Sequence, residues 1–448
     1  MKPISAKNLA ERMGGTYHGE PTRIQGFATD HRDVKPGDAF LAIKGARVDG
    51  HDFADQAMAA GALLVVSEKE LDVPHVRVAN LVAALSSLAL SFRIAFDGPV
   101  VGITGSAGKT MTKEFVAAAL SPLGPIKKTD GNRNTEYTAP LLWPEVTTGD
   151  AAVVVELSMR GIGQIAHLAE FCRPTHSLIT NIGWAHLEQV GSRAAIAQAK
   201  GEILEALPQD GVAVLWKDDD FFDSLKARAW PRSTITFGYG EGCDCRIIGY
   251  EAVSWQSCLV RGFYLNLPWE AELPVVGRHL ALNAAAAIAV AASVGISPQE
   301  ASGELFGAEI PPMRMEIRDY NGALILLDTY NASVPGTLGA IETLSEMPCD
   351  GKRRAVLGEM RELGAFETEA HEMVGKTLLN SKIDEVCFIG EPMVKTTAEM
   401  FRASGKPFTL AANIEEVRAF VAASQPGDTV LIKGSRALEL ERALETLQ

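Results

Sequence analysis

From residue 98 onward the chain is built of short, continuously apolar runs, each closing on a glycine or polar residue, with helix-compatible segments between them. Val100-Val-Gly-Ile-Thr104, Ala151-Ala-Val-Val-Val-Glu156, His176-Ser-Leu-Ile-Thr-Asn181 and Gly211-Val-Ala-Val-Leu215 do not alternate with polar residues. Such runs predict strands buried on both faces, and their alternation with helices predicts a parallel sheet covered by helices. Arg354-Ala-Val-Leu-Gly358, Glu385-Val-Cys-Phe-Ile-Gly390 and Thr429-Val-Leu-Ile-Lys-Gly434 repeat the pattern, separated by helical segments such as 414–423. They predict a second, doubly wound α/β unit.

The first 97 residues read differently. Turns at Lys35-Pro-Gly-Asp38 and Ala46-Arg-Val-Asp-Gly50 precede a helix over 52–60 and a strand over 63–67, a small mixed domain. Asp97-Gly-Pro99 and Pro311-Pro312 break the pattern. The predicted division is 1–97, 98–309 and 310–448. The fold class is α/β: a small α/β domain, a central parallel-sheet domain with a phosphate loop, and a C-terminal Rossmann-like domain.

Composition adds exclusions. A net charge of −14 argues against nonspecific binding to nucleic acid or anionic membrane. Six cysteines in 448 residues make no disulfide framework, and Cys243 and Cys245 fit neither redox nor zinc spacing. The N-terminal segment lacks an apolar signal core, and the most apolar stretch, 281–296, is too short to span a bilayer. A cytoplasmic protein without membrane insertion is expected.

The candidate chemistry lies at strand ends, where open parallel sheets bind ligands. After Val100–Thr104 the chain reads Gly105-Ser-Ala-Gly-Lys-Thr110 and enters a helix. Glycines let backbone N–H groups close on phosphate oxygens, while the helix N-terminus adds partial positive charge. Lys109 is placed to reach terminal phosphates and the Thr110 hydroxyl a magnesium ion. The strict phosphate-loop pattern wants glycine at 103, but Ile103 stands there and the glycines fall at Gly102 and Gly105. Glu156 and the segment Asn181 to His186 end neighbouring strands, bringing a carboxylate and an imidazole to the same edge. That set suits magnesium–nucleotide chemistry. Spacing alone makes Lys200 a solvated helix-face residue and Asp218-Asp-Asp220 a polar loop; Lys433-Gly-Ser-Arg436 resembles an anion-holding turn.

Assembled in order, these segments resemble the Mur ligase family, ATP-dependent amide-forming enzymes of peptidoglycan precursor synthesis. The resemblance spans nearly the full length. It rests on Asp30-His-Arg32, Asp49-Gly-His-Asp-Phe53, Thr104-Gly-Ser-Ala-Gly-Lys-Thr110, Asn181-Ile-Gly-Trp-Ala-His-Leu-Glu188, Ala199-Lys-Gly-Glu202, Asp328-Thr-Tyr-Asn-Ala332, Leu357-Gly-Glu-Met-Arg-Glu-Leu-Gly364 with His371, and Lys433-Gly-Ser-Arg436. It is closest to the branch that adds D-alanyl-D-alanine to UDP-N-acetylmuramoyl-tripeptide.

The resemblance implies ATP and two magnesium ions. Thr104, Gly105, Ser106, Ala107, Gly108, Lys109 and Thr110 would serve the nucleotide, with Asn283, Arg314 and Asp328. Thr110, Glu156 and His186 would hold metal, and Lys200 would carry a carbamate supporting the second ion; Lys109, Lys200 and His186 are the implied catalytic residues. Thr29, Asp30, Arg32 and Gly45 would lie near the UDP moiety, and Asn132, Asn134, Tyr330, Asn331, Lys433, Ser435 and Arg436 would contact substrate. The implied partners are these substrates, and a monomer is expected. Departures from the branch pattern fall at Thr135, Thr138, Leu327, Ser333, His31 and Leu280. The alternatives are a sister ligase adding one amino acid to a shorter UDP-muramoyl peptide, and a noncatalytic nucleotide-binding scaffold.

Overall fold

The buried runs set the architecture. The computed structural model describes residues 1–45 and 47–445, so Ala46 of the expected turn and residues 446–448 lie outside it. A nine-stranded sheet occupies the middle of the chain, with Val100–Thr104 between Ala152–Glu156 on one side and His176–Ile179 on the other. All three pair in parallel, and Val212–Trp216 and Ser233–Gly238 extend the sheet in the same sense. The chain leaves Val100–Thr104 where successive crossovers diverge to opposite sides, so the loop that follows opens on a crevice.

Every residue of Val100–Thr104 is buried, and its side chains alternate between two cores. Val101 and Ile103 pack with Phe115, Val116 and the alanines of the helix Arg278–Ser293. Val100 packs with Leu168, Ile196 and Ile203 of the helices Gln164–Cys172 and Arg193–Glu205 on the opposite face. The alanine-rich sequence of Arg278–Ser293 lets that helix lie close against Lys109–Ala119, fixing the phosphate loop from behind. Truncating Phe115 at this contact to alanine would cost about 3–5 kcal/mol.

The sheet does not end as its parallel pattern suggests. Cys245–Ala252, Cys258–Tyr264 and Leu267–Leu273 add an antiparallel meander. In Leu267–Leu273, Trp269, Ala271 and Leu273 point inward and the intervening residues outward. This period-two pattern is that of a sheet with one face on the core and one in water.

The other two large sheets are smaller. Thr16–His18, His75–Arg77, Leu64–Ser67, Asp38–Leu41 and Gly26–Ala28 form a five-stranded sheet in that order. A six-stranded sheet places Ala323–Asp328, Thr429–Lys433, Arg353–Gly358, Glu385–Ile389 and Phe408–Ala411 in parallel, with Glu316–Tyr320 antiparallel at one edge. In this register Asp328 and Lys433 end adjacent strands side by side. The class is α/β throughout. Among the described residues, no helix is long and apolar enough to cross a membrane.

Candidate functional site

The phosphate loop is held in shape by the next strand. Ser106 N–H donates to Asn181 O at 3.0 Å and Ala107 N–H to Asn181 Oδ1 at 3.1 Å. Asn181 Nδ2 and Thr180 Oγ1 both donate back to Ala107 O, at 3.0 and 2.6 Å. Gly105 sits at φ +153°, and a Cβ there would lie 1.8 Å from Thr180 Oγ1. Gly108 adopts a left-handed conformation (φ +79°) against Asn283 and starts the helix Lys109–Ala119 without a side-chain cap. The free N–H groups of that first turn therefore face the cleft as an anion site.

Two lysines meet beneath the loop. Lys109 Nζ and Lys200 Nζ donate to the same oxygen, Gly105 O, at 2.8 and 2.9 Å. Burial pushes Lys109 below the ordinary lysine range; Glu156 opposes that shift, and Arg314 adds to it. Lys200 is displaced further, by burial first and then by the Lys109 charge, against the pull of Glu156. The solvated helix-face position that spacing assigns to Lys200 is thus overturned: its side chain is 1% exposed. The small residues around it bring the helix Arg193–Glu205 close enough to the sheet to enclose it.

Glu156 ends its strand 2% exposed. Its Oε1 accepts from Asn134 Nδ2 at 2.7 Å, while its Oε2 is buried with no protein partner among the described residues. Thr110 Oγ1 accepts from Arg314 Nη2 at 3.0 Å, and the Arg314 guanidinium lies 4.1 Å from the centre of the Tyr330 ring. His186, in a left-handed conformation, sets Nδ1 2.6 Å from Glu362 Oε2. The histidine holds the Glu362 carboxyl below its usual range. Beside this pair Trp184 meets Phe366 edge to face, and Glu188 N–H donates to Glu362 O at 3.1 Å. Asp328 Oδ2 accepts from Lys433 Nζ at 2.5 Å, and Lys433 also donates to Asn331 O.

These groups surround a cleft of about 500 Å³. Its walls include Ser106 to Thr110, Asn132, Asn134, Glu156, His186, Asn283, Arg314, Asp328, Tyr330, Asn331 and Lys433. Thr104, Gly105 and Lys200 lie under its floor. The rest of the expected set lies elsewhere. Thr29 is exposed; Asp30 caps the turn at His31–Asp33, and Arg32 holds its carboxyl well below the usual range. Gly45 N–H donates to Val48 O. In the Lys433–Arg436 turn, Ser435 N–H is taken by Glu359 O and Arg436 pairs with Glu441.

Sequence models of this architecture match in register: Mur ligase family, catalytic domain, over residues 23–112, the Mur ligase middle domain over 103–291, and the Mur ligase glutamate ligase domain over 313–436. A UDP-N-acetylmuramoyl-tripeptide–D-alanyl-D-alanine ligase of Synechocystis is 36% identical over 96% of this chain and 94% of its own length. The Escherichia coli enzyme of that name is 34% identical over 100% and 99%. The chain belongs to the Mur ligase family. Among solved structures, MurF from Acinetobacter baumannii superposes with a TM-score of 0.89 at 29% identity, covering 100% of this chain and 99% of that one. MurF from Thermotoga maritima, in complex with ADP, gives 0.82 at 33% identity over 94% and 97%.

Several residues that build or support the cleft of this Mur ligase carry no local sequence signal of their role. Asn181 stood out only as a strand end, yet it fixes the phosphate loop through side chain and backbone. Asp219, read as part of a polar loop, is buried and accepts from Ile182 N at 2.7 Å and Phe221 N at 2.8 Å; burial raises its pKa. Glu362 lies far along the chain from His186, and no local periodicity signals the pair. Buried His371 accepts from Met360 N–H at 3.2 Å on Nε2, supporting the loop that presents Glu362.

Proposed function

We propose that this Mur ligase joins D-alanyl-D-alanine to UDP-N-acetylmuramoyl-tripeptide at the expense of ATP, through an acyl phosphate. The observation that carries the mechanism is a buried carboxylate oxygen with no protein partner among the described residues, Glu156 Oε2, on the same cleft as two lysines that share Gly105 O beneath a phosphate loop. The names and full-length coverage of the relatives support the choice of acceptor.

In this reading the cleft binds ATP with its phosphates on the first turn of Lys109–Ala119. The tripeptide carboxylate attacks the γ-phosphorus, the bond to ADP breaks, and an acyl phosphate forms. The dipeptide amine then attacks the acyl carbon; phosphate leaves and the amine loses its proton. Both steps gather negative charge, which Lys109, Arg314 and the helix N-terminus are placed to balance. Asn283, Arg314 and Asp328 would hold the nucleotide from the far wall.

The donor set fits magnesium, a hard cation that takes oxygen ligands. Glu156 Oε2 has no protein partner among the described residues, and Thr110 Oγ1 retains a lone pair beyond its bond from Arg314. His186, whose Nδ1 lies 2.6 Å from Glu362 Oε2, would offer Nε2. Bound magnesium would neutralise phosphate charge at these residues. Lys200, held toward its neutral amine by burial, would add CO2 with loss of a proton, and the resulting carbamate would support a second ion. Carboxylate and imidazole ligands from different strands explain why the metal residues converge only in the fold.

The same reading divides the chain at 97/98 and 309/310. It places the UDP moiety near Thr29, Asp30, Arg32 and Gly45, and the peptide near Asn132, Asn134, Tyr330, Asn331, Lys433, Ser435 and Arg436. The same reading takes the protein to act as a monomer on cytoplasmic substrates. The test is phosphate release from ATP with UDP-muramoyl tripeptide, with and without D-Ala-D-Ala. Release requiring both, with pentapeptide product by mass, is the expected result. Release with a single amino acid would replace it by the sister ligase, and none with any acceptor by the scaffold.

A further inference from the structure

At the edge of the N-terminal sheet opposite the strand that leads to Thr29, two histidines face each other across the strands Thr16–His18 and His75–Arg77. His18 and His75 are direct antiparallel partners, their rings stacked 4.9 Å apart at 11°. Glu70, on the loop before His75, sets Oε2 3.0 Å from His75 Nε2. Among the described residues, one ligand atom from each of the three lies within 4.8 Å of the other two. None of them lines the cleft.

The hydrogen bonds of His75 constrain what lies between these groups. Its ring is buried, and Nδ1 is 2.9 Å from Val73 O, which can only accept. Nδ1 therefore carries a proton, and in the neutral ring Nε2 is a lone pair aimed at a carboxylate oxygen. Two acceptors at that distance require a proton or a cation between them. An imidazole whose other nitrogen donates to a backbone carbonyl is the arrangement that orients histidine ligands toward metals. Two bonds of about 2.0–2.2 Å at a tetrahedral angle separate ligand atoms by roughly 3.3 Å. His75 Nε2 and Glu70 Oε2 are already close to that spacing, and exposed His18 can rotate to close the third position. The nearby cation, Arg77, binds the other carboxylate oxygen, Glu70 Oε1, at 2.7 Å and leaves Oε2 available.

We propose that His18, Glu70 and His75 form a site for one divalent transition-metal ion of the zinc class, with water completing the coordination. Two imidazoles and a carboxylate suit zinc and its neighbours rather than magnesium. The role is structural. Glu70 follows Lys69, whose Nζ pairs with Asp49 Oδ2 at 2.8 Å. The metal would tie the loop 68–74 to the sheet edge while Lys69 links that loop to the turn at Asp49.

The test is calorimetric titration of untagged, chelator-treated full-length protein with Zn2+, alongside His18→Asn, Glu70→Gln and His186→Asn. His18 and Glu70 are exposed, so their replacement leaves the fold intact, and His186→Asn removes any zinc taken by the cleft. The expected result is one equivalent bound by wild type and by His186→Asn, weakened at least tenfold in His18→Asn and Glu70→Gln. Zinc should also raise the unfolding midpoint of wild type and His186→Asn but not of the other two variants. Zinc binding by His18→Asn equal to wild type, or no equivalent retained in His186→Asn, would overturn the site. The gap at His75 would then be filled by a proton, as an imidazolium–carboxylate pair.

Discussion

Lys109 and Lys200 place their ammonium nitrogens on one backbone oxygen, Gly105 O, at 2.8 and 2.9 Å. As ammonium groups, two buried lysines on one acceptor repel each other. Burial and this repulsion together hold Lys200 well below its ordinary value of 10.5. The neutral amine that this depression favours is the form the proposed carbamate requires.

Lys200→Met should abolish most turnover while preserving the fold, because the replacement fills the same space without a charge. Phosphate release should fall at least a hundredfold, about 2.7 kcal/mol or more of barrier. Turnover equal to wild type would remove the carbamate from the mechanism.

The same residue has a pH signature in the ligand-free protein, read in CO2-free buffer. A lysine depressed in the folded state binds fewer protons there than in the unfolded chain, so stability rises with pH between the two values. That window ends near the ordinary value of 10.5. Denaturant unfolding of wild type minus Lys200→Met should show a difference that rises through it; a flat or falling difference contradicts the depressed amine.

Glu156→Gln keeps the bond from Asn134 and removes the carboxylate whose Oε2 has no protein partner among the described residues. Magnesium-dependent phosphate release should be lost and thermal unfolding should fall, because the Glu156 charge opposes the depression of Lys109 and Lys200. A variant that retains full activity would show that this carboxylate does not hold metal.

Glu362→Ala should lower kcat about ten- to a hundredfold, the usual effect of losing the partner that orients a ligand histidine. Pairing it with His186→Asn tests the link: coupled residues give a double-variant loss smaller than the product of the single losses. Simple multiplication of the two effects would mean that the contact does not act through His186.

Gly105→Ala should destabilise the protein and eliminate nucleotide binding, since its Cβ would fall 1.8 Å from Thr180 Oγ1. The strain and clash are worth about 1–3 kcal/mol, readable by denaturant unfolding. Wild-type stability with intact ADP binding would show that the loop can shift away.

Much of this protein was legible one segment at a time. The continuous apolar runs determined the buried parallel strands, because a strand covered on both faces has no polar side to show. The glycines and Lys109-Thr110 after Val100–Thr104 determined the phosphate loop, and the order of motifs determined the family. The meander at Cys245–Leu273 went unread because its alternating faces give a weaker signal than a buried run.

Local sequence could not decide what depends on distance in space. The burial of Lys200 follows from how closely the helix Arg193–Glu205 packs on the sheet. Its meeting with Lys109 follows from the turn at Gly105. Glu362 reaches His186, and Lys433 reaches Asp328, only through the placement of whole sheets and loops. The strands, the phosphate loop and the family are readable along the chain, since they rest on side-chain periodicity and backbone freedom within a few residues. Which charges are desolvated and which groups share an acceptor emerges in the folded chain, because desolvation and pairing are set by neighbours distant in sequence.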